Sequence, residues 1–138
     1  MKTLKFLCLL FFFSTQLSFA QKAPYKVVFD VTGRDSLVQR SVIRWVNEIS
    51  NSDPKAMIEV VMYGHGLDLV TKNKSAFSDD VTRLAQNKNI SFKVCAIAMK
   101  NNNISADQLL QNVSTVPDGI YEIVSKQAEG WGYIKVAP

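Results

Sequence analysis

The strongest constraint on this chain is an alternation of two kinds of segment. Short runs rich in β-branched and aromatic residues, Tyr25–Val31, Met57–Tyr63 and Phe92–Met99, are separated by stretches in which apolar residues recur at the helical period. Over Leu37–Ile49, Val38, Val42, Trp45, Val46 and Ile49 form one stripe, and Arg40, Arg44, Asn47 and Glu48 point elsewhere. Ser75–Gln86 repeats the period through Phe77, Val81 and Leu84, with Asp79 and Asp80 suited to the amino end of a helix. A third periodic stretch, Asp118–Ala128, begins beside Pro117, ends at Gly130, and is expected to bury Ile120, Ile123 and Val124. Phe92–Met99 lies between the polar turns Gln86–Asn89 and Asn101–Asn103, is short for a helix, and is read as a buried strand.

Weaker elements fill the gaps. Leu67–Val70 is a loop or a single helical turn, Ile104–Leu110 a short helix capped by Ser105, Val113–Val116 a brief fourth strand, and Trp131–Val136 a last one. Strands alternating with helices in this order predict an α/β fold, a three-layer α/β/α sandwich around a mainly parallel sheet of about five strands.

The first residues are of another kind. Met1–Lys5 is basic, Phe6–Phe13 is apolar, and Ser18-Phe19-Ala20 has the small-x-small form of a cleavage site, which together read as a secretory signal peptide over 1–20. The apolar run is too short to span a bilayer well, so stable membrane insertion is not expected. Export across the inner membrane to the periplasm is the expected destination, with 21–138 as a single domain. A formal charge of +4, with no basic run after the leader, gives no nucleic-acid footprint.

Removal of the leader takes Cys8 with it and leaves Cys95 as the one thiol, so no disulfide can form within the mature chain. One cysteine and one histidine cannot build a structural zinc site, and no G-x-S-x-G, Walker-type or dinucleotide-binding glycine motif is present. No metal or cofactor is therefore expected.

Parallel strands share one carboxyl edge, where open α/β sheets take their ligands. That edge brings together Gly33 and Arg34 after the first strand, Gly64-His65-Gly66 after the second, and Cys95 in the third. The glycines would let backbone approach a ligand, His65 could activate a nearby thiol, and Arg34 could meet an anionic group. The same residues admit a plainer reading. Cys95 among Val94, Ala96 and Ile97 can be a small core hydrophobe, His65 a solvent-exposed loop residue and Arg34 a surface charge. Trp131 and Tyr133 are expected to serve as core or subunit-interface aromatics.

Four pieces of the chain carry a resemblance to the DsrE/DsrF-like family. They are the first strand with Gly33-Arg34; Val60–Gly66 with Leu67-Asp68-Leu69; Ile90–Cys95 with the later Leu109-Leu110; and Val116-Pro117-Asp118-Gly119 through Gln127–Lys135. The resemblance implies an α/β/α domain that assembles as homotrimers or hexamers. It implies that Cys95 matches the cysteine holding a persulfide in sulfur-carrying members, served by a donor or acceptor protein. The chain departs from the pattern directly after that position, with Ala96-Ile97-Ala98 where similar stand-alone members often have Gly-Asn-Thr. Two functions remain open at this point: a sulfur (persulfide) carrier or sulfurtransferase-like protein using Cys95, and a non-catalytic homo-oligomeric module binding a small ligand or protein, with Cys95 structural.

Overall fold

The computed structural model describes residues 24–137, so the signal-peptide reading of 1–20 lies outside the described residues. Five strands form one fully parallel sheet: β1 (Lys26–Val31), β2 (Met57–Met62), β3 (Ile90–Cys95), β4 (Val113–Val116) and β5 (Gly132–Val136), in the order β4-β3-β2-β1-β5. Four α-helices connect them: α1 (Ser36–Ser52), α2 (Ser78–Leu84), α3 (Ala96–Asn101) and α4 (Gly119–Ala128). Gly66–Val70 and Ala106–Gln108 are 3-10 turns.

The strand order dictates the layers. Crossovers between parallel strands are right-handed, so successive steps from β1 out to β4 put their connecting helices on one face. The return from β4 to β5 runs the other way and lays α4 on the opposite face. One core cluster accordingly holds Val38, Val42 and Val46 of α1, Leu67 and Leu69, Val81 and Leu84 of α2, and Phe29, Val60 and Phe92 of the sheet. The other holds only Val28, Val61 and Ile123, with Tyr63 packed against them. Among the described residues no helix is long and apolar enough to cross a membrane.

Three expectations change. The strand read over Phe92–Met99 ends at Cys95, and Ala96–Asn101 is helical. Alanine, methionine and lysine favour helix, and the turn lets Ala98 and Met99 enter the core while Ile97 faces water. Asn102 closes α3 by donating from Nδ2 to the Ala98 carbonyl at 2.8 Å, and Asn103 follows in the left-handed region at φ 52°. The helix read over Ile104–Leu110 is a single 3-10 turn in which the Ser105 N–H donates to Gln108 Oε1. Finally, α4 buries Ile123 but leaves Ile120 60% and Val124 56% exposed. A lone helix over a sheet needs only a narrow inward stripe, here Gly119 and Ile123 at i, i+4 spacing.

Candidate functional site

Side chains alternate across a strand, so register assigns each residue a face. Val28 and Asp30 of β1, Glu59 and Val61 of β2, Ser91 and Lys93 of β3, and Tyr133 and Lys135 of β5 share the face under α4. Cys95 continues the β3 series at its carboxyl end and caps the start of α3. The thiol residue is 5% exposed and touches the larger core. Across from it, Gly119 opens α4 so closely that a Cβ there would stand 3.1 Å from Cys95 Cβ and 3.3 Å from Val61 Cγ1. Glycine is what lets the helix start come this near to the cysteine.

Cys95 lines a cleft of about 250 Å³ at this carboxyl edge. Ile97 and Ala98 of α3 form one wall, Asp118 and Ile120 of α4 another; Tyr63 and Gly64 close the side toward β2, and Asn101 and Asn102 complete the mouth. Asp118 is the N-cap of α4, its Oδ1 accepting from the N–H groups of Ile120 at 2.8 Å and Tyr121 at 3.4 Å. Asn102 Nδ2 also donates to the Gly64 carbonyl at 3.3 Å, tying α3 to the loop after β2.

A polar knot around the buried Asp30 adjoins this cleft through Tyr63. Asp30 is 4% exposed, and its Oδ2 accepts from Tyr133 Oη at 2.8 Å and Tyr63 Oη at 3.2 Å. Lys135 Nζ donates to Asp30 Oδ1 at 3.0 Å and to Thr32 Oγ1 at 2.9 Å, and lies 5.5 Å from the centre of the Tyr63 ring. Burial, then the Asp30 charge, push the Tyr63 phenol up to about 12, so it stays a donor at neutral pH. The bond to Asp30 raises Tyr133 as well. This knot sits between β1 and β5, where the order of the sheet reverses.

Further back under α4, Ser91 Oγ donates to Glu59 Oε2 at 3.2 Å, while Glu59 Oε1 is buried with no hydrogen-bond partner among the described residues. Burial, reinforced by the neighbouring Glu122 carboxyl, raises the Glu59 carboxyl to about 7; Lys126 opposes that rise.

The sequence-derived residues fall into two groups. Arg34 and His65 do meet, Arg34 Nη2 standing 2.9 Å from His65 Nδ1, with Arg34 Nε 3.4 Å from Asp68 Oδ2. His65 is exposed and its partner is the guanidinium; no hydrogen bond joins it to Cys95 among the described residues. Gly64 lines the Cys95 cleft in the left-handed conformation at φ 59°. Gly66 is buried for a backbone reason, since a Cβ there would stand 2.2 Å from the Val31 carbonyl oxygen. Gly33 is half-buried near Val38. Tyr133 is 42% exposed and serves Asp30, and Trp131 lies under the Lys126 ammonium at 5.1 Å.

Asp30, Tyr63, Asn102 and Asp118 join the site only through the fold. The available signal is the period-two placement of Asp30 and Thr32 at the first strand and of Tyr133 and Lys135 on the last. Among the described residues no group of three or more His, Cys, Asp or Glu could hold a metal ion. A second hollow of about 250 Å³ lies on the other face between Phe29, Trp45, Ile49 and Ile134; it is apolar apart from Glu48.

The model of the DsrE/DsrF-like family matches residues 26–136. The chain belongs to that family. Among solved structures, this DsrE-like domain is similar to a protein of unknown function, MTH1491, from Methanobacterium thermoautotrophicum, at 31% identity and TM-score 0.75, covering 80% of this chain and 98% of that one. It is also similar to the ychN protein from E. coli at 9% identity and TM-score 0.68, covering 81% and 98%. A conserved protein of unknown function, BT1422, from Bacteroides thetaiotaomicron follows at 14% and 0.64, covering 80% and 94%. The two lower identities speak for the fold alone. No curated protein matches the chain. Membership of the DsrE/DsrF-like family suggests a role related to sulfur relay.

Proposed function

We propose that this DsrE-like domain is an exported carrier of sulfane sulfur, held as a persulfide on Cys95. The observation that carries the reading is the position of the thiol in the wall of a 250 Å³ cleft at the carboxyl edge of the sheet. In the step assigned to it, the Cys95 thiolate attacks the sulfane sulfur of a donor. A new S–S bond forms to Cys95, the donor's S–S bond breaks, and the electron pair of that bond leaves with the donor as a thiolate. An acceptor thiolate reverses the sequence. The exposed Tyr121 and Val124 of α4 support a homo-oligomer that packs against this helix beside the cleft.

The low exposure of Cys95 and its contact with the core favour a second reading, a binding module in which the thiol only packs. Intact mass of freshly purified protein separates the two. One extra sulfur atom, removed by reductant and absent from Cys95→Ser, is the expected result. A mass without that atom, together with alkylation of Cys95 no faster than that of a buried core thiol, rejects the carrier. The same spectrum locates the mature amino terminus relative to Ala20, and light scattering of the purified protein measures the assembly.

A further inference from the structure

We propose that the Cys95 cleft selects uncharged organic polysulfides and turns away anionic sulfur donors such as thiosulfate. The inference rests on Cys95 being the sulfur carrier and names the donor class for that site.

Among the described residues, lysine, arginine and histidine are absent from the lining, and the only ionisable group there besides Cys95 and Tyr63 is Asp118. The amino end of α4 would ordinarily draw an anion. Here Asp118 already accepts from the N–H groups of Ile120 and Tyr121, so those donors are taken and a carboxylate stands in front of them. The cations of the adjoining loops are engaged as well. Lys135 is bound to Asp30 and Thr32, and Arg34 to His65 and Asp68.

Cys95 is 5% exposed, so a donor has to leave bulk water to reach it. An anion making that move loses hydration and finds no cation among the residues that line the cleft. An alkyl chain makes it favourably, since Ile97 and Ile120 stand 53% and 60% exposed at the cleft and gain burial against it.

The transfer balances without an added oxidant or reductant. The Cys95 thiolate attacks the central sulfur of R–S–S–S–R, forming a trisulfide on Cys95 and releasing RS⁻. The released thiolate then attacks the sulfur that carries R. It leaves as R–S–S–R, and the electron pair of the broken bond stays on a Cys95 persulfide anion.

Dimethyl trisulfide and thiosulfate serve as the sulfur probes, followed by intact mass. Iodoacetamide and iodoacetate serve as a neutral and an anionic alkylating pair that needs no sulfur transfer. All rates are normalised to those of an unstructured cysteine peptide. The expected result is a preference of roughly tenfold for the neutral member of each pair. Asp118→Asn, which keeps the cap without its charge, and Ile120→Lys should both narrow it. Normalised rates that are equal within either pair, or faster with the anion, overturn the proposal while leaving the carrier reading in place if sulfur still loads. Loading by neither donor removes the carrier reading, and the donor assignment falls with it.

Discussion

The two faces of the sheet follow opposite rules. Beneath α1, α2 and α3 the strands present Phe29, Val60, Phe92 and Val94, all fully buried, against three helices and the turn of Leu67 and Leu69. Beneath α4 the same strands present Asp30, Glu59, Ser91, Lys93 and Lys135, with only Val28, Val61 and Ile123 as a dry cluster. One face is held by apolar burial, which is non-directional and tolerant of detail. The other is held by hydrogen bonds and ion pairs that depend on each partner. The polar face leads to the cleft at its carboxyl edge, so the cleft sits where packing is least redundant.

Adjacent residues of one strand give the sharpest test. Phe92→Ala removes a fully buried ring from the dry face and should cost about 3–5 kcal/mol in denaturant unfolding. Lys93→Ala, one residue on and half-buried on the polar face, should cost under about 1 kcal/mol. Similar losses for the two would erase the distinction between the faces.

Next in size is Asp30→Ala. It leaves the Tyr63 and Tyr133 hydroxyls and the Lys135 ammonium without their shared acceptor. Lys135 is partly exposed, which softens the loss, and about 2 kcal/mol is expected. The same variant should accelerate iodoacetamide labelling of Cys95, because Tyr63 loses the bond that fixes it as a wall of the cleft. An unchanged labelling rate would mean that the knot stabilises the sheet without shaping the cleft.

These cases also show what the sequence could convey. Strand and helix order was legible because apolar periodicity is a local signal, and the parallel α/β sheet followed from that order. The extent of β3 was not, since Val94-Cys95-Ala96-Ile97-Ala98-Met99 is apolar throughout and carries no period to mark where strand becomes helix. The outward aim of Ile120 and Val124 was hidden for a different reason. Helical periodicity shows that a stripe exists, whereas its width depends on how many neighbours the helix has, and among the described residues α4 is alone on its face. Arg34 and His65 meet at the carboxyl edge, but two nearby loops can share an edge without sharing a pocket, and neither residue lines the Cys95 cleft. Asp30 accepts from Tyr133 and Lys135, each more than a hundred positions away from it in sequence, and no short window contains that relation.

A pH experiment tests the deeper part of the polar face. Burial and the Glu122 carboxyl raise Glu59 from its ordinary 4.5 to about 7. Between those values the native state holds a proton that the unfolded chain has released. The resulting stability is complete below 4.5 and is lost as pH rises through 7. Groups facing Glu59 modulate this: Glu122 adds to the rise, and Lys126 and the Ser91 hydroxyl reduce it. Glu59→Gln removes the titration, so it should gain up to about 2 kcal/mol over the parent at pH 8 and little at pH 4.5. Thermal melts across that range read the difference, and a constant offset at every pH would show that Glu59 is not the titrating group.

The smallest effect distinguishes the two tyrosines that share Asp30 Oδ2. Burial is the main cause at Tyr63, whereas at Tyr133 it is the hydrogen bond itself. Asp30→Asn keeps an oxygen at that position but removes the charge. Followed by phenolate absorbance, with Tyr63→Phe and Tyr133→Phe to assign the steps, Tyr133 should fall back toward 10.0 while Tyr63 keeps the part of its rise that burial causes. Equal reversion of both would mean that water reaches Tyr63 as freely as it reaches the edge strand. The polar face would then be open along its length, and the low exposure of Cys95 would owe nothing to the tyrosine beside it.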